Sequence, residues 1–317
     1  MKSLITGGGG FIGSHLADHL LAAGNDVILL DNLSTGRLEN VNHLRGRAGV
    51  EFVVGSILNV DLMDDVVSRA DRVFHLAAAV GVNLIVERPL ESLRTNIAGS
   101  EIVLEKAHKY SRPILVTSTS EIYGKNTSDR LGEEDDRILG SPLKSRWSYS
   151  EAKAIEEILA YTYWREKGLP TFIVRLFNTV GARQTGTYGM VIPRFVQQAI
   201  RGEPLTVYGD GNQTRCFCSV LDVVPAMVRV MEEEQAQGRV FNIGGTEEVS
   251  ISELAQRVID LVGSESKIRF VPYDEAYEEG FEDMARRVPD ITRISNLIGF
   301  APSRTLDDII LDVAAAI

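Results

Sequence analysis

Apolar residues recur along the chain with two alternating periods. Lys2–Thr6, Asp26–Leu30, Phe52–Val54, Val73–Ala77 and Ile114–Ser118 are short, nearly continuous apolar runs of strand length. Between them the spacing becomes helical. Ile12, Leu16, Leu20 and Leu21 share one side of Phe11–Ala23, and a second long helix is expected over Glu91–Lys109. Strands that alternate with helices at this spacing imply parallel pairing, with helical crossovers covering both faces. Phe172–Phe177 reads as a sixth strand and Val240–Ile243 as a later one. After about Asn178 short strands, turns and helices mix, and Gly209-Asp210-Gly211-Asn212 reads as a tight turn. The pattern predicts an α/β chain: a doubly wound parallel sheet from residues 1–178, with 220–245 returning to it, and a smaller α/β lobe drawn mainly from 179–317.

Composition narrows the class. The chain has 317 residues, 44% hydrophobic and 24% charged, which is ordinary for a globular protein with a large core. Its net charge of −11 argues against nucleic acid or an acidic membrane as partner, so an anionic ligand needs a local cluster of cations. Cys216 and Cys218, one residue apart, read as reduced structural thiols. No apolar run approaches the roughly 18 residues of a membrane span. A strand starting at Lys2 leaves no room for a signal peptide, so the expected location is the cytoplasm. The acidic runs 132–136 and 232–237 read as solvated segments.

Two segments carry chemistry. Thr6-Gly7-Gly8-Gly9-Gly10-Phe11-Ile12-Gly13 joins the first strand to the first helix, with glycines at 7, 10 and 13. Glycine permits the sharp turn, and the helix amides and dipole suit a pyrophosphate. Asp31, ending the second strand, is placed to accept hydrogen bonds from an adenosine ribose and to repel a 2′-phosphate. NAD is therefore expected rather than NADP, although the nearby Arg37 can tolerate that phosphate. The second segment is Tyr149-Ser150-Glu151-Ala152-Lys153, whose Tyr149 and Lys153 share a helix face. A neighbouring ammonium and a nicotinamide cation favour phenolate and make the tyrosine a usable base. Upstream, Ser118 or Thr119 at a strand end can bond the substrate oxygen beside Tyr149.

The glycine turn, His75-Leu76-Ala77-Ala78, Ser118-Thr119, Tyr149 with Lys153, and Arg175-Leu176-Phe177-Asn178-Thr179-Val180-Gly181 together resemble the extended short-chain dehydrogenases. This group includes nucleotide-sugar epimerases, dehydratases and decarboxylases. The resemblance runs over essentially the whole chain. It implies a Rossmann domain that binds NAD, a C-terminal lobe that binds a UDP-sugar, and a homodimer. NAD would be held by Gly7, Gly10, Phe11, Ile12 and Gly13, and by Asp31 and Asn32. Ser56, Ile57, Leu76, Ala77, Ala78, Asn96, Ser118, Tyr149 and Lys153 would complete its site. Gly55-Ser56-Ile57 departs from the family pattern, in which an Asp commonly reads the adenine. Tyr149 would remove the sugar O4 proton as the C4 hydride passes to NAD, with Thr119 polarising O4 and Lys153 holding the ribose. Asn178, Val191, Arg194, Val207, Tyr208 and Arg215 would bind the nucleotide diphosphate.

Thr119-Ser120-Glu121 resembles the stretch found in UDP-glucuronate decarboxylases. So do Tyr277–Asp283, leading into Arg286-Arg287-Val288-Pro289, and Arg146-Trp147 and Arg215-Cys216-Phe217. In that group the residue at Arg287 meets the substrate carboxylate. Each feature also has a plainer reading. Glu121 can be an ordinary strand-end carboxylate, Arg287 can bind diphosphate, and His75 reads as structural or near the cofactor rather than as a base. Decarboxylation leads, a UDP-sugar 4-epimerase is the alternative, and dehydration lacks an acid at Ser120. A non-catalytic NAD-binding regulator of this fold would usually lack the tyrosine and lysine pair.

Overall fold

The apolar runs become seven strands of a single sheet in the computed structural model, which describes residues 1–79, 89–144, 147–186, 190–272, 275, 284 and 286–317. They are β1 (Lys2–Thr6), β2 (Asp26–Asp31), β3 (Val50–Val54), β4 (Arg72–His75), β5 (Ile114–Thr119), β6 (Thr171–Leu176) and β11 (Val240–Ile243). Their order is β11-β6-β5-β4-β1-β2-β3, with every pairing parallel. Alternate residues of each strand enter opposite cores. Ile5, Leu29, Phe74, Leu115 and Val174 pack under α1 (Phe11–Ala22) and α7 (Val220–Glu232). Leu4, Ile28, Val73, Val116 and Ile173 face α2 (Val60–Ser68), α4 (Ser100–Lys109) and α5 (Ser148–Lys167). Burial on both faces explains why these strands read as unbroken apolar runs. The order reverses between β1 and β4, which opens a crevice at their C-terminal ends.

The helix expected over 91–109 is interrupted. α3 (Pro89–Arg94) passes through a π-helical turn, Thr95–Gly99, before α4 begins. A Cβ on Gly99 would lie 2.5 Å from Ile57 Cδ1, so the turn sits tight against the segment after β3. β4 also ends two residues early. The Leu76 amide still donates to the Thr6 carbonyl, but Ala77 N turns to Thr6 Oγ1 at 3.2 Å and the chain leaves the ladder.

A second core lies among α6 (Val191–Ile200), α8 (Ile251–Val262) and α10 (Leu306–Ala314), built on Phe195, Leu205, Leu254, Val258 and Ile310. Its strands are short. β8 (Leu205–Tyr208) pairs with β13 (Ile268–Val271), β9 (Thr214–Cys216) with β12 (Glu248–Ser250), and β7 (Thr179–Val180) with β10 (Cys218–Ser219). α9 (Thr292–Ile298) returns Ile294 and Ile298 to the core of the main sheet. Both cysteines are free and buried, and burial pushes the Cys216 thiol up to about 12. The acidic run 132–136 is only partly solvated. The Glu133 carboxylate turns inward, accepts from Asn242 N at 2.9 Å and faces Arg293. Among the described residues no helix is long and apolar enough to cross a membrane.

The backbone approaches closely at the first turn. A Cβ on Gly13 would lie 2.2 Å from the Gly7 carbonyl oxygen, which backbone cannot relieve cheaply. Gly13→Ala should therefore cost about 2 kcal/mol in urea unfolding. An unchanged midpoint would show that the turn has room to give.

Candidate active site

The C-terminal strand ends surround a cleft of about 750 Å³. Its floor is the glycine turn. Gly7 takes φ +73°, and its amide and that of Gly8 both donate to the Leu30 carbonyl, at 2.8 and 3.1 Å. Asp31 braces the same turn, accepting from Gly9 N at 2.9 Å and from Leu33 N at 2.7 Å. Burial raises its carboxyl above the usual carboxylate range, and the amide hydrogen bonds pull the other way. Phe11, Ile12, Asn32, Ile57, Leu76, Ala77 and Ala78 line the same side of the cleft. A Cβ on Gly7 would meet Ala77 N at 2.9 Å, so the bare backbone leaves a cradle above the first turn of α1. Ser118 Oγ is buried at the cleft and takes no hydrogen bond from the described residues, so it can serve a ligand. These features fit a dinucleotide.

Two residues named for the cofactor stand behind the wall. Asn96 is buried and grips Ala79, donating to its carbonyl at 3.2 Å and accepting from its amide at 2.7 Å. Ser56 accepts from Leu58 N at 3.2 Å and closes a turn. Among the residues named for the substrate, Asn178, Val191, Arg194, Tyr208 and Arg215 line the cleft. Val207 instead points into the second core, because alternate residues of β8 face opposite ways. Arg194 stacks 4.2 Å over the Tyr208 ring and donates to the Thr206 carbonyl at 3.0 Å. Arg146 and 277–283 lie outside the described residues.

On the opposite side of the cleft, Thr119, Ser120, Glu121, Tyr149 and Arg287 converge. Thr119 Oγ1 accepts from Glu121 N at 3.2 Å, which leaves its own proton for a ligand. Arg287 Nη1 donates to Glu121 Oε1 and Nη2 to Asn178 Oδ1 at 2.7 Å, tying the strand end to the C-terminal segment. The turn that carries Glu121 is itself anchored. Arg175 forms a two-pronged pair with Glu157 (2.9 and 2.8 Å) and donates to Tyr123 Oη at 2.9 Å. Burial pushes the Tyr149 phenol up, and the charges of Glu156 and Glu121 add to that. Lys153 Nζ donates to the Thr117 carbonyl and to Glu156 Oε2, both at 2.7 Å. Glu156 and Arg183 are not singled out by the sequence pattern. Glu156 stands three residues after Lys153, and that spacing was the one available signal.

Residues 3–244 match the family model described as "NAD dependent epimerase/dehydratase family". The chain belongs to that family. It is 43% identical to a UDP-N-acetyl-alpha-D-glucosaminuronate decarboxylase of Bacillus cytotoxicus over 303 residues, 95% of this chain and 93% of that one. It is 36% identical to UDP-glucuronic acid decarboxylase 1 of Danio rerio, covering 97% of this chain and 70% of that one. In fold it is similar to a UDP-glucuronic acid 4-epimerase from Bacillus cereus, solved with UDP-glucuronic acid and NAD. The TM-score is 0.89 at 28% identity, over 100% of this chain and 98% of that one. As in its family, NAD is the cofactor of this enzyme.

His75 stands at the hinge of the site. Ala77 N donates to Thr6 Oγ1, so the Thr6 hydroxyl donates to His75 Nδ1 at 2.7 Å. His75 Nε2–H then serves Ser100 Oγ at 2.9 Å, and Ser100 donates to the Asn96 carbonyl at 2.6 Å. This network assigns a neutral imidazole. Burial, aided by the Lys153 charge, lowers its pKa to about 3. Between pH 6.5 and 3 the unfolded chain takes up this proton and the folded one does not, so stability falls with pH. From pH 7 to 5 His75 should cost about 2 kcal/mol. Urea unfolding of His75→Gln should show a loss smaller by that amount; equal losses would refute the assignment.

Proposed function

We propose that this enzyme decarboxylates a UDP-linked uronic acid, UDP-glucuronate or its 2-acetamido counterpart, through a 4-keto sugar. The observation that carries this reading is the Glu121–Arg287 pair beside Thr119 and Tyr149. It agrees with what the two decarboxylases named above act on. Bound NAD supplies reversible two-electron oxidation at the sugar C4. Tyr149 takes the O4 proton, the Thr119 hydroxyl bonds O4, and Lys153 holds the ribose hydroxyls. The ketone makes the C6 carboxylate that of a β-keto acid. The C5–C6 bond breaks, its electron pair enters the C4 enolate, CO₂ leaves, C5 is protonated, and C4 and O4 take back the hydride and the proton removed at the start. Arg287 receives the substrate carboxylate. Glu121 disfavours that carboxylate's charge and so favours its departure as neutral CO₂. Ser120 flanks the pair.

Residues 1–178 and 220–245 hold NAD in this reading, and 179–317 bind most of the UDP-sugar. Asn178, Arg194, Tyr208 and Arg215 serve the diphosphate and base. The enzyme is a cytoplasmic lyase. A 4-epimerase is the second reading, favoured by the near-complete overlap with the Bacillus cereus fold. Incubation with NAD and each UDP-uronate, followed by mass spectrometry, separates the two. A product lighter by one CO₂ is expected; an isobaric product would make the enzyme an isomerase. Tyr149→Phe should lower turnover about 10³-fold with NAD still bound. Arg287→Ala should lose the uronates while still binding UDP-glucose, and equal losses on both would assign Arg287 to the diphosphate.

The homodimer is supported by an exposed stripe. Ile155, Ile158 and Tyr161 repeat every three residues on α5, and Leu90 on α3 is 80% exposed. Light scattering should give twice the chain mass for the wild type and one chain mass for Ile158→Asp. A monomeric wild type would end this reading.

A further inference from the structure

Glu156 lies on α5 one turn beyond Lys153 and is fully buried. A carboxylate there is costly unless a charge and hydrogen bonds compensate it. Lys153 provides the compensation through Oε2, while the same ammonium is held by the Thr117 carbonyl. The second oxygen, Oε1, takes no hydrogen bond from the described residues and lies 3.6 Å from His75 Nε2. Burial raises the Glu156 carboxyl, and the Lys153 charge and hydrogen bond pull it back down.

The surroundings leave Lys153 as the one cation engaged with this carboxylate among the described residues. β4 presents the neutral His75. The π-turn and α4 present the Asn96 carbonyl and the Ser100 hydroxyl. β5 presents the Thr117 carbonyl. On α5 itself, Glu157 is engaged by Arg175 of β6. Glu121, which also bears on Tyr149, is engaged by Arg287. The ammonium that should pull Tyr149 toward phenolate is therefore matched by an equal negative charge one turn along the helix.

We propose that Glu156 is a positioning residue for the Tyr149–Lys153 pair: it fixes the ammonium against the Thr117 carbonyl and neutralises it, so that Tyr149 keeps its proton until the cationic nicotinamide lies beside it. The inference rests on the reading of Tyr149 as the base. Its consequence is that the base is armed by the oxidised cofactor and not by the lysine alone. Proton removal from O4 is then confined to complexes in which an oxidant is present.

The test follows the Tyr149 proton directly. Protein carrying ¹³C-labelled tyrosine is titrated with NAD bound, and the Tyr149 signal is assigned by its loss in Tyr149→Phe. Glu156→Gln keeps an acceptor for Lys153 but removes the charge, so its Tyr149 midpoint should fall by about one pH unit. Glu156→Asp keeps the charge and should titrate like the wild type. Equal midpoints in wild type and Glu156→Gln, or no Tyr149 titration below pH 11 in either, would overturn the proposal. Should Glu156→Gln not fold, the wild type alone decides. Calorimetry of NAD binding near pH 8, in buffers of different ionisation heat, should show proton release, and its absence overturns the proposal. Tyr149→Phe that still turns over would remove the base assignment itself, and the calorimetric and NMR results would not depend on it.

Discussion

All seven strands of the sheet run in one direction, and the site depends on that constraint. Parallel pairing puts every strand's C-terminal end on one edge. The glycine turn after β1, Asp31 at the end of β2, Ala77 and Ala78 after β4, Thr119 at the end of β5 and Asn178 after β6 therefore meet at one cleft, although they are drawn from distant parts of the chain. Burial on both faces holds the strands in register, so the residues at their ends have little freedom to wander. A buried polar lattice then refines the edge. Asn96 grips Ala79, Thr6 and His75 tie β1 to β4, and Arg175 with Glu157 holds the turn of Glu121.

Much of this architecture was legible in the sequence because the relevant signals are local. A strand buried on both faces is an unbroken apolar run, and Leu4 and Ile5 are adjacent because each serves a different core. The glycine turn was legible because Gly7 and Gly13 answer a steric demand that a Cβ would violate. Tyr149 and Lys153 were legible as a helix-spaced pair. The early end of β4 and the π-turn within 89–109 were not, because tertiary contacts decide both: Ala77 with Thr6, and Gly99 with Ile57.

Buried charge was the least legible feature. In the sequence Glu156 is one of two consecutive glutamates on a helix, and nothing local says which faces in. Glu133 stands in an acidic run that reads as solvated, yet it caps a backbone amide 109 residues away. Val207 read as a ligand contact, but strand alternation sends it to the second core. In each case the deciding partner comes from a distant part of the chain. Sequence periodicity describes which face is apolar, and it is silent about which polar group has found a counter-charge.

The contact between Glu121 and Arg287 spans 166 residues. Chains are made from the N-terminus, and domains tend to fold as they emerge. The first six strands of the sheet can thus assemble around the glycine turn well before the arginine exists. During that interval Glu121 has only water and its neighbours for company. The tie across this end of the cleft therefore cannot form until residue 287 has been made.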